Sequence, residues 1–158
     1  YKVDCANKDL ITLVIGINVK TVFCGGNKLT TLSLPDNLEE LFCYSNKLTK
    51  LVLNYRLRTL YCYGNKLKSI DINEKLKYLV CYDNNLTEIE LNTGLVELDC
   101  HKNPLESKIT TYDNLTSVKC SQEHINLIQS SKHIKIYNIH IIYDYKTREV
   151  MDKWTWAK

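Results

Sequence analysis

The chain has 158 residues, of which 44% are hydrophobic and 25% charged, and its formal net charge is +3. These values are ordinary for one folded domain, and so small a charge does not indicate a nucleic acid or an anionic membrane as partner. The longest apolar stretch, residues 10–17, is much shorter than the roughly 20 residues that cross a bilayer, so we expect no membrane span.

A short repeat runs through most of the sequence. Its seven cysteines keep a constant 19-residue period over the first five intervals, and the sixth interval is one residue longer. Aliphatic residues recur in step two and five residues before the cysteine and five and eight residues after it, which indicates a solenoid of stacked turns. In five repeats an asparagine stands three residues after the cysteine. The cysteines are Cys5, Cys24, Cys43, Cys62, Cys81, Cys100 and Cys120, and the asparagines are Asn27, Asn46, Asn65, Asn84 and Asn103.

Each repeat contains one predicted strand and one return segment. Leu41 and Cys43 alternate with Phe42 and Tyr44, which is the period of a strand with one buried and one open face. Successive repeats should add parallel strands about 4.8 Å apart. The remainder of each repeat is too short for a helix with two turns, so we expect an extended or 3₁₀ return.

Residues 38–48, LEELFCYSNKL, carry a family resemblance. They resemble the leucine-rich-repeat signature L-x-x-L-x-L-x-x-N/C-x-L, with cysteine in an inward leucine position. The resemblance covers residues 1–130, and the short period is similar to that of bacterial-effector and giant-virus repeat proteins. It implies a mainly β, right-handed leucine-rich-repeat solenoid with a curved parallel sheet, a structural asparagine ladder and a binding function on the concave face.

Departures from the pattern mark the ends of the repeat array. In the first repeat Asn7 comes one place early, and Lys8 stands at the ladder position. The longer sixth interval implies a one-residue insertion between Glu106 and Ile109, because Lys108 falls where an apolar residue is due.

Residues 131–158 are predicted to form a degenerate repeat and a C-terminal cap. A further step of one period beyond Cys120 places Ile134, Tyr137 and Ile139 at the positions five before, two before and at the cysteine. The segment from Ile134 to Tyr145 should be a longer closing strand, and residues 123–131 a short helix. Trp154 and Trp156 either cover the last turn or belong to a tail.

The cysteines are interpreted as core residues. Stacked side chains about 4.8 Å apart are too distant for an undistorted disulfide, and no C-x₂₋₄-C pair offers a zinc site. Cysteine is a small apolar residue in such a column, which favours a reducing compartment, the cytoplasm, of the source or of a host cell. We therefore expect no metal, no other cofactor and no catalytic thiol.

The residues next to each cysteine should form an aromatic surface on the open face of the sheet. Large tyrosine-rich patches are typical of protein interfaces, although a self-stacking ladder that stiffens the sheet is compatible with the same residues. Beside this patch, Asp99 and His101 form either a pH-sensitive border or, as the sequence favours, ordinary solvated surface. The predicted partner-binding residues are Phe42, Tyr44, Tyr61, Tyr63, Tyr78, Val80, Tyr82, Asp99 and His101.

The sequence contains no motif for catalysis: G-x-S-x-G, H-E-x-x-H, the P-loop and G-x-G-x-x-G are all missing. We therefore predict a non-enzymatic module for a protein partner. A row formed by Lys28, Lys47 and Lys66 is interpreted as a solvated rim rather than a phosphate site. Two alternatives are a structural repeat that associates with itself through the closing strand, and the recognition arm of a larger effector or ubiquitin-ligase adaptor.

Overall fold

The computed structural model of the chain describes residues 1–129, 134–144 and 149–156. Nine strands form one sheet in the order β1-β2-β3-β4-β5-β6-β8-β10-β11, and β7 and β9 form a second sheet of two strands. The described part has a single helix, of the 3₁₀ type, at Gln122–Leu127. The strands are β1 (Lys2–Asp4), β2 (Thr21–Phe23), β3 (Glu40–Phe42), β4 (Thr59–Tyr61), β5 (Tyr78–Val80), β6 (Glu97–Asp99), β7 (Ile109–Thr110), β8 (Ser117–Ser121), β9 (Ile128–Gln129), β10 (Lys135–Asp144) and β11 (Glu149–Trp156).

The turns stack with a constant register. Each strand from β1 to β6 pairs in parallel with the next, and the paired Cα positions are one full repeat apart, as in Leu41 with Leu60. The offset is one residue longer between β6 and β8, where Leu98 pairs with Val118, and one residue shorter between β8 and β10, where Val118 pairs with Ile136. The prediction of a mainly β solenoid with parallel strands and without helical returns is confirmed.

One continuous apolar core lies inside the turns. The cysteines from Cys24 to Cys120 are buried, together with the leucines two and five residues before them and five after them. Cys5 lies in the first turn and is only partly buried, because no turn packs on its outer side. The inward position that the sequence predicts for the cysteines is therefore confirmed.

A ladder of asparagines ties each turn to the turn before it. The Nδ2 atom of Asn65 donates hydrogen bonds to the carbonyl oxygens of Cys43 and Cys62, both at 3.0 Å. Its Oδ1 atom accepts the backbone N–H of Leu48 at 3.0 Å. The amides of Asn46, Asn84 and Asn103 make the same three kinds of bond in their own turns. These amides satisfy buried backbone groups that stacking alone leaves unpaired.

A second asparagine ladder lies at the opposite ends of the strands. The Nδ2 atom of Asn73 donates to the carbonyl oxygens of Asn54, at 2.8 Å, and Leu57, at 3.1 Å. Asn54 and Asn92 make equivalent bonds in the neighbouring turns. The sequence interpretation missed this ladder, although the three residues recur with the period of the cysteines. Both ends of a central strand are thus fixed to the preceding turn.

The residue before each position of the first ladder, including Lys8 in the first turn, adopts a left-handed conformation. Glycine takes this conformation without steric cost, and Asn and Asp tolerate it better than other residues do. At Gly26 a side chain is excluded for a second reason, because a Cβ atom would collide with the side chain of Asn7. The column comprises Asn7, Gly26, Ser45, Gly64, Asp83 and Lys102, with φ between 51° and 66°.

The C-terminal part departs from the prediction in its register. Val118 pairs with Ile136 and Cys120 with Asn138, so the predicted positions of Tyr137 and Ile139 are wrong by one residue. Two alternating apolar sets occur here, and Ile134 and Ile136 pack against the core. A shift of one residue exchanges the two faces of a strand. The prediction assumed that β10 follows β8 by one full period of 19 residues, and it therefore assigned the wrong one of the two alternating sets to the core.

The closing strand is confirmed as longer than the others, at ten residues, but it ends at Asp144 and Tyr145 lies outside the described residues. Trp154 and Trp156 lie on β11, which pairs antiparallel with β10. This hairpin was not predicted. The predicted helix of residues 123–131 is a 3₁₀ helix that begins at Gln122 and ends at Leu127, and residues 130 and 131 lie outside the described part. The insertion before Ile109 is confirmed, because Ile109 is fully buried in place of Lys108.

Candidate functional site

The open face of the sheet carries two parallel columns of aromatic side chains. The middle column, which precedes the cysteines, consists of Phe23, Phe42, Tyr61, Val80, Asp99 and Lys119, in strand order. The tyrosine column, which follows the cysteines, consists of Gly25, Tyr44, Tyr63, Tyr82, His101 and Ser121. An outer column, three residues before each cysteine, consists of Thr21, Glu40, Thr59, Tyr78, Glu97 and Ser117.

The tyrosine column is a continuous stack of rings. The centroids of Tyr44 and Tyr63 are 4.9 Å apart and those of Tyr63 and Tyr82 are 4.4 Å apart, with interplanar angles of 4° and 9°. The imidazole of His101 continues the stack at 4.3 Å from Tyr82. At the other end the Tyr44 ring lies over Gly25, where a Cβ atom would come within 2.5 Å of it. The rings therefore present their edges and hydroxyl groups, rather than their faces, to a partner.

Burial perturbs the phenols of this stack. It raises the pKa of Tyr63 and, helped by the neighbouring Tyr63 phenol and the Asp99 carboxylate, raises the pKa of Tyr82 to about 12. Both side chains therefore stay neutral and keep their hydroxyl protons at any physiological pH. The stack offers hydrogen-bond donors and acceptors, not charge.

The middle column is interrupted. Phe23 and Phe42 stack at 4.4 Å, and Tyr61 packs on Phe42 at 5.0 Å with an interplanar angle of 36°. The next two strands place Val80 and Asp99 in the column, and neither carries a ring. A depression of about 470 Å³ opens at this point. We call it the notch: Val80 and Asp99 form its floor, Tyr61 and Lys119 its two ends, and Tyr63, Tyr82, His101, Tyr78 and Glu97 its sides.

Asp99 and His101 form a buried pair between the floor of the notch and one of its sides. The Nδ1 atom of His101 lies 2.6 Å from Oδ1 of Asp99, and Nζ of Lys119 lies 3.9 Å from Oδ2. Asp99 is 7% exposed and His101 is 5% exposed, so the prediction that they form ordinary solvated surface is wrong. Two neighbours cover the pair. His101 stacks on the Tyr82 ring, and Ser121 lies on the next strand, where its Oγ atom accepts the backbone N–H of Lys102.

The structure brings most of the predicted binding residues to one place. Of the nine, all but Phe42 and Tyr44 line the notch. Those two stack on ring systems that continue into the notch walls at Tyr61 and Tyr63. The sequence interpretation missed the contribution of Glu97, Lys102, Ser117 and Lys119. The column positions of Glu97, Ser117 and Lys119 contained the signal, but polar residues there were interpreted as ordinary surface.

The cysteine column lies on the other side of the sheet from the notch. Burial raises the pKa of Cys24 to about 12 and that of Cys120 to about 11, and it raises the pKa of Cys43, Cys62, Cys81 and Cys100 well above the usual value. Thiols in this state are poor nucleophiles and poor metal ligands. Among the described residues no cluster of three or more His, Cys, Asp or Glu side chains is arranged to hold a metal ion.

In the described ranges, no helix combines the length and apolar character that crossing a membrane requires. Comparison of the sequence with protein-family models and with curated proteins found no match.

Proposed function

We propose that the chain is a leucine-rich-repeat module that binds a protein partner through the open face, with the notch at the centre of the interface, and that it does so without catalysis. The leucine-rich-repeat assignment rests on the L-x-C-x-x-N-x-L pattern and on the buried asparagine ladder. Among repeat solenoids, an extended sheet face is the usual binding surface.

The interruption of the middle column is the observation that carries this proposal. A ladder whose only role was to stiffen the sheet would gain by continuing its rings, since stacked pairs contribute roughly 0.5–1.5 kcal/mol each. The chain instead places Val80 and Asp99 beneath a depression of about 470 Å³. Tyrosine-lined depressions with a few fixed polar groups are typical of the centres of protein interfaces.

Affinity capture with point variants tests this proposal. Tyr61→Ala removes one end of the notch, and we expect it to abolish capture of the partner from a lysate of the source or host cells. Tyr55→Ala is the matched control, because Tyr55 is 56% exposed and lies outside the open face. Thermal denaturation should show both variants folded. Capture of the same partner by Tyr61→Ala and by the unmodified chain would show that the interface lies elsewhere.

A second candidate function is self-association through the C-terminal hairpin. The observation that favours it is the position of β11, which ends the strand order of the nine-stranded sheet. A long strand at a sheet edge offers backbone groups to another chain. Sedimentation velocity tests this alternative: association that increases with concentration supports it, and a monomer at all concentrations removes it.

We also propose that the chain functions in a reducing compartment such as the cytoplasm. The observation that supports this is that all seven cysteines are free thiols and six of them are buried. Free thiols in such numbers are typical of proteins that do not meet an oxidising environment.

A further inference from the structure

The notch leaves one face of the Tyr61 ring without a stacking partner from the neighbouring strand. Tyr61 contacts Phe42 on one side, and its Cα partner on the other side is Val80, whose side chain is too short to cover a phenol ring. The adjacent tyrosine column continues across the same strands with centroid spacings of 4.4 Å and 4.3 Å. A flat group bound on the free side of Tyr61 would occupy the position above Val80 that a further stacked ring would take.

Among the described residues, two carboxylates line the notch, those of Asp99 and Glu97, and only that of Asp99 has side-chain partners. Asp99 has both its carboxylate oxygens engaged, one with His101 and one near Lys119. Glu97 is exposed, and its partners on the neighbouring strands are the uncharged Tyr78 and Ser117. Within the described part of the chain Glu97 forms no ion pair and no side-chain hydrogen bond. The notch therefore has one available carboxylate, and it lies on the side formed by the outer column.

The rest of the outer column shows that this availability is specific to Glu97. Glu40 occupies the same column position near the other end of the sheet, and it accepts a hydrogen bond from the hydroxyl of Thr21 at 3.0 Å. Glu40 also lies beside the aromatic part of the middle column, away from the notch. The positively charged Lys102, by contrast, lies beyond His101 on the opposite side of the notch from Glu97.

We propose that the notch receives the guanidinium group of an arginine side chain from the partner protein. This inference rests on the proposed function of the open face. A guanidinium is flat and stacks on aromatic rings, and its fork of N–H donors matches a carboxylate. It would stack on Tyr61 above Val80 and donate hydrogen bonds to Glu97. A neutral ring would fill the same space but would remove water from the Glu97 carboxylate without compensation, and a lysine ammonium could not stack as a plane.

The experiment uses the full chain and small probes whose binding is followed by NMR of the tyrosine ring protons. N-acetyl-arginine methylamide should bind with a Kd on the order of 1–10 mM, a range typical of a single contact, and should shift the ring signals of Tyr61 and Tyr78. The citrulline analogue has the same shape without the charge, and the lysine analogue has the charge without the plane. We expect each to bind at least fivefold more weakly.

Three variants locate the probe. Glu97→Gln keeps the shape of an exposed side chain and should weaken arginine binding at least fivefold. Val80→Tyr supplies the missing ring and should abolish binding. Glu40→Gln is the matched control, from the same column outside the notch, and should leave the affinity unchanged. Equal binding of arginine and citrulline, an unchanged affinity in Glu97→Gln, or no detectable binding at roughly 20-fold the expected Kd overturns the proposal.

These outcomes separate this inference from the proposed function. If no arginine probe binds but Tyr61→Ala and Val80→Tyr still abolish partner capture, the open face remains the interface and only the arginine assignment fails. If both variants capture the partner as the unmodified chain does, the proposed function itself fails.

Discussion

Cysteine serves in this protein as a small apolar side chain rather than as a reactive one. Six thiols lie in one buried column, and burial raises the pKa of each, with help from a neighbouring thiol at Cys43 and Cys62. A leucine in this column would also be apolar but larger, so the cysteines allow close packing between the sheet and the return segments. The same burial makes the fold sensitive to alkaline pH.

The buried thiols predict a loss of stability above about pH 9. Below the thiol pKa of the unfolded chain, which is near the ordinary value of 9.0, both states are protonated and the stabilisation is fully present. As the pH rises further, unfolded thiols ionise while folded ones do not until their raised pKa values of about 11 to 12 or higher. Each thiol should then lower the free energy of unfolding by about 1.4 kcal/mol per pH unit.

Urea denaturation between pH 7 and pH 10.5 under reducing conditions measures this slope. In Cys62→Ala one buried thiol is missing, so the variant should be less stable at pH 7 but should lose stability less steeply, by about 1.4 kcal/mol per pH unit. An identical slope for Cys62→Ala and the unmodified chain would contradict the assignment of the effect to the thiol column.

For a single residue, the sequence predicts the face of the sheet on which its side chain lies better than it predicts how exposed that side chain is. The alternation around each cysteine correctly places Tyr63, Tyr82 and His101 on the open face. It cannot predict that His101 and Asp99 are buried there, because their exposure depends on the Tyr82 ring and on Lys119 and Ser121 one strand further on. Contacts between side chains of different turns depend on rotamers, which a period does not encode.

At the scale of one turn, the asparagine ladder is the element that fixes the strand to its neighbour. Asn65 satisfies the backbone groups of Leu48, Cys43 and Cys62, all of which are buried. Replacing its amide leaves these groups without a partner, and each unsatisfied buried group costs roughly 1–3 kcal/mol.

We expect Asn65→Ala to lower the free energy of unfolding by about 3 kcal/mol or more. Asn85→Ala is the matched control: Asn85 lies in the next repeat and is exposed, and only its backbone forms a hydrogen bond, to Leu67. It should change the free energy by less than about 0.5 kcal/mol. Urea denaturation with a common m-value measures both. Equal effects of the two substitutions would show that the side-chain amide of Asn65 is not what stabilises the turn.

The elements themselves were predictable because the same pattern is repeated many times. Strands β2 to β6 are each three residues long, and none would be recognisable alone. Beyond Cys120 only one degenerate copy remains, so the register of β10 was predicted one residue out and its pairing with β11 was missed. The second ladder was missed for a different reason, since Asn54, Asn73 and Asn92 lie in return segments that were assigned only an apolar role.

At the scale of the whole molecule, the two ends of the solenoid differ from its middle. Among the described residues no turn packs on the outer side of the first turn, and large hydrophobic side chains are exposed there, including Ile11, Val14 and Ile17 at 69%, 94% and 75%. In a solenoid each turn is stabilised by its neighbours, so an end turn is expected to open before the rest.

Native-state hydrogen exchange measures this gradient with a matched pair of amides. The N–H of Cys5 donates to the Phe23 oxygen at 2.8 Å, and the N–H of Cys62 donates to the Val80 oxygen at 2.9 Å. The two bonds are alike, but one lies in the first turn and the other in the middle. We expect the Cys62 amide to exchange at least tenfold more slowly, a difference in opening free energy of about 1.4 kcal/mol. Equal rates would mean that the molecule opens only as a single unit.

The extent of the two asparagine ladders also determines where the chain can change length. The last members are Asn92 and Asn103, and the two described parallel strand pairs whose offset departs from one full repeat both involve β8, which follows them in the chain. A turn clamped at both ends to its predecessor has a fixed contour length, whereas an unclamped turn can gain or lose a residue. During evolution the clamped part can therefore grow only by duplication of whole turns, each adding about 4.8 Å to the open face. Single insertions and new connections are confined to the C-terminal turns.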